Sequence, residues 1–283
     1  MLHNAIERIL EAQAIWADPL GKLFVAIFAA LYKPVPILKD FLNGVWLGHP
    51  LHPAITDVPI GAYVVALVLD LSGQRAAATA AIGVGIVFMV LAALAGYADY
   101  IDLEGKPGRF GTIHSSLMLV ALVLYLISFV MRLGATATSA EVWLAVIGFV
   151  IVITSAYVGG ELVYNLGTQV DRHAWRGGSA KWTGLDVTDV PPDKPVKAKA
   201  GAQTLVVVRR GTGLDALHDV CAHQGCSLSD GKIAGDAIEC PCHGSRYRLR
   251  DGLVVRGPSV FDQPHYEVRE AEGKLEVRRT DTR

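Results

Sequence analysis

Apolar residues are concentrated in the first part of the chain, up to about residue 165. A helix needs about 20 largely apolar residues to cross the hydrocarbon core of a bilayer. Four runs meet this requirement, at residues 54–71, 76–97, 112–131 and 141–164. Because the connections between them are short, they predict a membrane α-helical domain over residues 48–165, a four-helix bundle with up-down-up-down topology.

The segment before this domain, residues 1–47, has a weaker pattern. Apolar side chains between Met1 and Trp16 recur at a helical period. The run from Leu20 to Leu31 is apolar but short for a membrane span, and Lys22 and Lys33 flank it. We therefore predict amphipathic helices that lie at the membrane interface or pack on the rest of the membrane domain.

The remainder of the chain is more polar. Residues 166–184 contain Gly177-Gly178-Ser179 and are typical of a linker, in which we expect His173 at the level of the lipid headgroups. Residues 185–280 alternate short strand-like runs with turn signals such as Asp251-Gly252. The clearest runs are Gln203 to Arg209, Ala237 to Cys240, Tyr266 to Arg269 and Lys274 to Arg278. This pattern predicts an all-β domain, a small antiparallel β sandwich or barrel.

Composition and charge add a location. Of the 283 residues, 52% are hydrophobic, so we expect the protein to interact with the lipid bilayer. A net charge of −1 argues against a nucleic-acid partner. Basic residues are frequent on the side of the predicted termini (Lys22, Lys33, Lys39, Lys106, Arg109, Arg172, Arg176, Lys181) and rare in the opposite connections (Arg75, Arg132). Positive residues favour the cytoplasmic side, and no twin-arginine pair precedes a hydrophobic run. We therefore expect a multi-pass protein of a bacterial-type cell membrane, with both termini and the β domain in the cytoplasm.

One motif in the predicted β domain carries chemistry. Cys221-x-His223 is followed, after a gap of sixteen residues, by Cys240-x-x-His243. Two thiolates and two imidazoles at these spacings can bind a zinc ion or a mixed-ligand iron–sulfur cluster. The other two of the four cysteines lie next to these pairs, and zinc binding alone does not explain them.

This stretch resembles the Rieske [2Fe–2S] domain, which has the same two pairs at this separation. The resemblance covers about Gly184 to Arg279. It implies one [2Fe–2S] cluster, with Cys221 and Cys240 on one iron and His223 and His243 on the other. It also leads us to expect that the outer ring nitrogens of both histidines are exposed.

Further residues resemble the quinol-oxidising subclass of this family. The subclass has a disulfide between its cluster loops, which implies a Cys226–Cys242 bond here. Ser245 and Tyr247 match hydroxyls that donate hydrogen bonds to the cluster sulfurs and so raise the potential. Gly257-Pro258-Ser259 resembles the proline loop that covers the cluster. A disulfide is uncommon in the cytoplasm, so the bond would have to be shielded between the loops.

Histidines also mark the membrane domain. His49-Pro50-Leu51-His52-Pro53 resembles the marker sequence of a family of small four-helix membrane proteins of unassigned function. Asp57 follows in the same predicted helix, and His114 begins the third. Three interpretations remain open: a haem b with His52 and His114 as axial ligands and His49 as an alternate, a quinone or proton site that includes Asp57, and helix caps that bond one another.

We predict from these features a membrane-anchored Rieske electron-transfer protein, a component rather than a stand-alone enzyme. It would pass single electrons between a quinol or a membrane redox partner and an acceptor, within a larger respiratory-type complex. Two alternatives stay open: a ferredoxin-like subunit that delivers electrons to a membrane reductase or oxygenase, and a non-catalytic redox-sensing or structural subunit. The sequence has no glycine-rich dinucleotide motif and no phosphate-binding loop.

Overall fold

The computed structural model describes residues 2–174 and 179–280, and it divides the chain into two compact units. The first unit comprises the chain up to Leu38 together with Leu51–Thr168. The second comprises Lys39–Pro50 and the chain from Gln169 onwards. A short piece of the N-terminal region therefore belongs to the same unit as the β domain.

In the described part of the chain, seven α-helices precede the β domain. They are α1 Leu2–Glu11, α2 Ala14–Tyr32, α3 Pro36–Asn43, α4 Leu51–Leu71, α5 Arg75–Tyr100, α6 Gly105–Arg132 and α7 Ser139–Gly160. The four predicted spans are confirmed as α4 to α7, all long and apolar enough to cross a bilayer. A turn of π-helix, Glu161–Asn165, continues α7.

Helix α2 is a fifth helix that could cross a membrane by length and composition, where we predicted a helix that lies at the interface or packs on the rest of the membrane domain. Its polar and aromatic contacts lie at one end of the four-helix bundle. Asp18 accepts hydrogen bonds from Arg109, Phe28 stacks on Tyr97, and the Tyr32 hydroxyl donates to the carbonyl oxygen of Leu94. The length of α2 therefore permits it to cross a membrane. Its contacts named here, however, are made only with the last turns of α5 and the first turns of α6.

The bundle consists of two helical hairpins, α4–α5 and α6–α7. Side chains of α4 and α6 meet at two levels in its interior. The rings of Tyr63 and Tyr125 stack with centroids 3.6 Å apart. Nearer the opposite end, the Arg132 guanidinium donates two hydrogen bonds, of 2.7 and 2.6 Å, to the buried Asp70 carboxylate. The bundle core is thus apolar with a paired charge at one level.

The β domain contains two antiparallel sheets, as the strand pattern predicted. The six-stranded sheet has the order β1-β10-β9-β4-β3-β2 and the four-stranded sheet β5-β6-β7-β8. The strands are β1 Thr183–Gly184, β2 Val196–Ala200, β3 Gln203–Arg210, β4 Gly213–His218, β5 Lys232–Ala234, β6 Ala237–Glu239, β7 Arg246–Arg248, β8 Val254–Arg256, β9 His265–Ala271 and β10 Lys274–Arg279. All pairings between strands are antiparallel in the part of the chain that the structure describes.

Strand β3 separates two hydrophobic cores, because successive side chains of a strand point to opposite faces. Leu205 and Val207 belong to one core, and Val206 and Val208 belong to the other. The second core also contains Cys221, Cys240 and Tyr247. The loops that bear the cysteine–histidine motif are therefore attached directly to the centre of the domain.

The predicted linker is only partly within the described residues. Its Gly177 and Gly178 lie outside them, as does Trp175. His173, two residues before Trp175, is buried, and its Nε2 lies 2.8 Å from the carbonyl oxygen of Val220. The His173 ring therefore packs on the β domain, and its position at the level of the lipid headgroups stays a prediction.

Candidate metal centre

Two loops with the same backbone hydrogen bonds bring the motif together. In the first, the Cys221 amide donates to the carbonyl of Cys226, and the Gly225 amide donates to the carbonyl of Cys221. In the second, the Cys240 amide donates to the carbonyl of Ser245, and the Gly244 amide to that of Cys240. Gly225 and Gly244 have φ of 87° and 78°, a conformation that favours glycine.

The four predicted ligands lie on these matched loops. The rings of His223 and His243 have centroids 4.9 Å apart. Cys221 and Cys240 are buried, and their sulfurs are close enough to share a hydrogen bond. That bond from the Cys221 thiol lowers the pKa of Cys240 to about 7, despite its burial. The arrangement provides two sulfur and two imidazole donors side by side.

Both residues predicted to supply hydroxyls are buried, and one hydroxyl lies beside a cysteine. The Tyr247 hydroxyl is 3.1 Å from Cys221 Sγ, and the Tyr247 side chain is fully buried. Ser245 is also fully buried, and its Oγ accepts the amide of Ser259 at 3.0 Å. Because Ser245 accepts in that bond, its own hydroxyl proton remains available for a sulfur acceptor. Ser259 follows the Gly257–Pro258 cis peptide bond of the predicted proline loop.

A disulfide joins Cys226 to Cys242 and connects the two loops, which confirms the predicted bond. The sulfurs of Cys226, Cys240 and Cys242 also lie within 4.8 Å of one another. This trio is not a metal site, because two of its sulfurs are bonded to each other and provide no thiolate. Its proximity shows instead how closely the disulfide flanks a predicted ligand.

Gln263 holds the backbone of the first loop in place, a role that no sequence pattern indicates. Its Oε1 accepts the amide of Ala222 at 3.0 Å, and its Nε2 donates to the carbonyl of Val220 at 2.6 Å. Gln263 can approach because Gly252 has no side chain: a Cβ there would lie 1.9 Å from the Gln263 carbonyl oxygen. The buried amide therefore fixes the backbone on both sides of Cys221.

The segment Lys39–Pro50 packs against the loop that contains Gly257. The Gly257 amide donates to Asp40 Oδ1 at 3.0 Å, and a Cβ on Gly257 would lie 3.1 Å from Val45 Cγ2. Burial raises the pKa of the Asp40 carboxyl, and the Gly257 amide partly offsets that effect. Asn43, at the end of α3, is completely buried. Sequence patterns did not predict this contact between distant parts of the chain.

The same surroundings bury His223. Only 4% of its surface is exposed, and its burial, together with the nearby His243 ring and the charges of Lys39 and Arg172, lowers its pKa to about 3. We expected exposed outer nitrogens on both histidines, and for His223 this expectation is wrong. His243 is half-buried, so it is the more accessible of the two rings.

The described residues fit a cluster at this place. Both ring nitrogens of His223 are buried and have no hydrogen-bond partner within residues 2–174 and 179–280. A buried nitrogen without a partner is costly, and a metal ligand is a direct explanation for it. The paired cysteine sulfurs complete a donor set of two thiolates and two imidazoles, which is the set that a mixed-ligand [2Fe–2S] cluster requires.

Comparison with known proteins agrees with this geometry. Residues 183–267 match the family described as Rieske [2Fe-2S] domain. The chain is 32% identical over 99 residues to the anthranilate 1,2-dioxygenase ferredoxin subunit of Burkholderia cepacia, which is 35% of this chain and 92% of that relative. The chain belongs to the Rieske [2Fe-2S] family. Its C-terminal unit is the Rieske domain, and the predicted [2Fe–2S] cofactor follows from this membership.

Two further relatives show the range of the family. The Rieske domain is 37% identical over 79 residues to ferredoxin CarAc of Metapseudomonas resinovorans, covering 28% of this chain and 74% of that one. It is 34% identical over 90 residues to the cytochrome b6-f complex iron-sulfur subunit of Chlorobaculum tepidum, covering 32% of this chain and 49% of that one. The chain thus spans about half the length of the latter relative.

The membrane part matches a second family. Residues 48–172 match the family described as predicted membrane protein (DUF2231). The chain is therefore a fusion of a membrane domain with a Rieske domain, as the two resemblances in the sequence predicted.

The membrane histidines are only partly brought together. His52 and His114 have ring centroids 6.2 Å apart, with planes at 88°. His49 belongs to the second unit and is exposed, with its Nδ1 near the carbonyl of Pro50. Asp57 is exposed on α4. Among the described residues, His52 and His114 are therefore brought together, whereas His49 and Asp57 do not join them.

Proposed function

We propose that the protein is a membrane-anchored carrier of single electrons. The observation that supports this proposal is the pair of matched loops, which carry two cysteines and two histidines, with the buried Tyr247 hydroxyl beside Cys221. Among the described residues, five helices are long and apolar enough to span a membrane, and they would anchor that centre to the bilayer. This combination favours electron transfer at a membrane over a zinc-binding structural role.

Cys221 and Cys240 would hold one iron, and His223 and His243 the other. The bound cluster supplies reversible uptake of one electron. Tyr247 and Ser245 would donate hydrogen bonds to sulfur, which favours the more negative, reduced state. His243, on the accessible side, is the ligand that we expect to face a redox partner.

We propose a quinol or another membrane redox partner as the electron donor, because both hydroxyls favour a high potential. Ferredoxin-like delivery of electrons to an oxygenase is the second candidate, since two of the relatives are ferredoxins by name and one of these is a subunit of a dioxygenase. Membership of a larger respiratory-type complex is a further proposal, supported by the relative from a cytochrome b6-f complex.

The membrane histidines suggest a second one-electron cofactor. We propose haem b rather than a quinone as the group bound near His52 and His114, because these rings pair with each other while Asp57 is exposed. His49, the alternate ligand expected from the sequence, is exposed and belongs to the second unit, so it is not part of this proposal.

The location of the Rieske domain is also a proposal. The excess of lysine and arginine on the side of the termini supports a cytoplasmic position. This orientation assumes that α2 lies at the interface, since an even number of spans keeps both termini on one side.

A reduction experiment separates the two candidate donors. The purified full chain is mixed anaerobically with a soluble ubiquinol analogue, or with a low-potential ferredoxin reductase and NADH, and the Rieske signal is followed by electron paramagnetic resonance (EPR). Reduction by the quinol supports our proposal. A cluster that stays oxidised with quinol but is reduced by the reductase contradicts it and supports ferredoxin-like delivery.

A further inference from the structure

The two hairpins of the membrane domain carry the same residues at equivalent positions. Along α4, His52 is followed by Tyr63, and at the same spacing along α6, His114 is followed by Tyr125. Each tyrosine meets its counterpart across the bundle, and so do the two histidines. Asp70 and Arg132, again at equivalent positions, form the buried ion pair. The bundle therefore has an internal two-fold relation, which we did not detect in the sequence.

The second helix of each hairpin repeats the pattern. Gly85 in α5 and Gly148 in α7 lie against Tyr63 and Tyr125. Further along, Gly96 lies against the His52 ring and Gly159 against the His114 ring, where a Cβ would come within 2.9 and 3.3 Å of the respective imidazoles. Both histidines thus occupy the same kind of niche, formed by a glycine of the neighbouring helix.

The hydrogen bonds of the two rings are also equivalent. His52 Nδ1 lies 2.7 Å from the carbonyl oxygen of Ala92, and His114 Nδ1 lies 2.8 Å from that of Ser155. A carbonyl accepts only from a protonated nitrogen, so each Nδ1 carries the proton and each Nε2 keeps a lone pair. Because the two nitrogens of an imidazole point in widely different directions, each Nε2 is turned away from the hairpin partner that holds its Nδ1.

The separation of the rings suits a single metal ion. An imidazole nitrogen binds a metal ion at about 2.0 Å, and the ring centre lies roughly 1.1 Å further back, so two rings on opposite sides of one ion have centres roughly 6.2 Å apart. The centroids of His52 and His114 are 6.2 Å apart. The Nδ1 bonds to backbone carbonyls are the second-layer contacts that fix metal-binding histidines in orientation.

The donor set indicates which kind of ion. Within residues 2–174 and 179–280, no third histidine, cysteine or carboxylate oxygen joins these two rings in a cluster of candidate ligands. A structural zinc ion requires four ligands, so two opposed imidazoles do not suffice. An iron whose other positions are filled by a porphyrin requires only two axial ligands.

We propose that His52 and His114 bind one haem iron through their Nε2 atoms, at the internal two-fold relation of the bundle, with Ala92 and Ser155 as positioning residues. This proposal rests on the proposed electron-transfer function and names the second cofactor's ligands. Each hairpin contributes one ligand, one backbone acceptor and one glycine, so the two halves of the site are equivalent.

The test uses the full chain expressed in membranes with a supply of haem. Haem is measured by the reduced-minus-oxidised optical spectrum and by extraction as the pyridine complex, and the Rieske EPR signal is recorded on the same samples. We expect about one haem per chain in the natural sequence. His52→Ala and His114→Ala should each reduce haem content more than tenfold, whereas His49→Ala should retain it. His114→Met should shift the optical spectrum if iron keeps its second ligand.

The outcomes separate the two proposals. A Rieske signal without haem in the natural protein overturns the haem site and leaves the electron-carrier proposal intact. Haem without a Rieske signal overturns the electron-carrier proposal instead. Haem that persists in both alanine variants, or that is lost only in His49→Ala, overturns the assignment of the ligands. The Rieske signal in each variant shows that the second unit has folded, and retained helical circular dichroism shows that the membrane bundle has folded.

Discussion

At the scale of single residues, the site depends on a few buried polar atoms. The Tyr247 hydroxyl contacts Cys221 Sγ, the buried Ser245 Oγ accepts the Ser259 amide, and Gln263 holds the backbone next to Cys221. The first two could be predicted from sequence because they follow Cys240 and His243 at short, fixed spacings. Gln263 could not, because its role depends on the close approach of the Gly252 backbone, which joins parts of the chain that no local pattern connects.

Removal of either hydroxyl should lower the midpoint potential of the cluster. A hydrogen bond to a charged acceptor is worth about 1.5–3 kcal/mol, and 59 mV corresponds to about 1.4 kcal/mol for one electron. Ser245→Ala and Tyr247→Phe should therefore each lower the potential by roughly 60–120 mV in an EPR-monitored redox titration. Tyr266→Phe, a buried tyrosine in the other core, is the control. Unchanged potentials in both site variants would refute the role of the hydroxyls.

At the scale of secondary-structure elements, the positions of the helices were more predictable than the contacts between them. Helices α4 to α7 could be predicted from runs of apolar residues, because an apolar run of about 20 residues is typical of a membrane-spanning helix. The same criterion placed Leu20 to Leu31 below the threshold, whereas the helix extends from Ala14 to Tyr32. The helix continues through the charged residues Asp18 and Lys22, and Asp18 pairs with Arg109.

Breaking the buried ion pair of the bundle should destabilise the membrane domain strongly. Arg132 and Asp70 have side chains 0% and 3% exposed, so loss of one partner leaves a buried charge unpaired. Asp70→Ala should lower stability by about 3–5 kcal/mol, seen as earlier loss of helical circular dichroism on heating in detergent. Arg132→Asp combined with Asp70→Arg should recover part of this loss.

The control for that experiment is a more exposed pair. Lys106 and Glu7 have side chains 34% and 36% exposed, and Lys106→Ala should cost no more than about 1 kcal/mol. If Asp70→Ala and Lys106→Ala lower stability equally, burial of the Asp70–Arg132 pair does not determine how much this pair contributes to the stability of the membrane domain.

The segment Lys39–Pro50 should dock more tightly at acid pH. Burial raises the pKa of Asp40 in the docked segment above its ordinary value near 3.9. The docked state therefore holds the proton more firmly, and docking weakens as the pH rises through the raised pKa. Hydrogen–deuterium exchange of the peptide that contains Gly257 should therefore accelerate as the pH rises through the raised pKa of Asp40, by more than the general effect of pH on exchange.

Two substitutions at Asp40 separate charge from hydrogen bonding. Asp40→Asn keeps an acceptor for the Gly257 amide and should dock with no dependence on pH. Asp40→Ala removes the acceptor and should accelerate exchange at every pH. If the alanine variant exchanges as slowly as the natural protein, the Asp40–Gly257 bond does not hold the segment.

At the scale of the whole molecule, the chain combines two units that sequence patterns could recognise separately. Hydropathy identified the membrane domain, and the cysteine–histidine spacing identified the Rieske domain, because each signal is local. The burial of His223 was not predictable, since the residues near it come from three distant segments, around Lys39, Arg172 and His243. The repeat of the two hairpins was also missed, because its equivalent residues are few and widely spaced.

Low-temperature EPR of membranes that contain the full chain tests the central claim most directly. Samples are reduced with ascorbate and, separately, with dithionite. We predict a rhombic Rieske-type signal already with ascorbate, since two thiolates, two imidazoles and the Tyr247 hydroxyl beside Cys221 favour a high-potential mixed-ligand cluster. No signal with either reductant, in protein shown to contain no iron, would contradict the claim that this chain is an electron carrier.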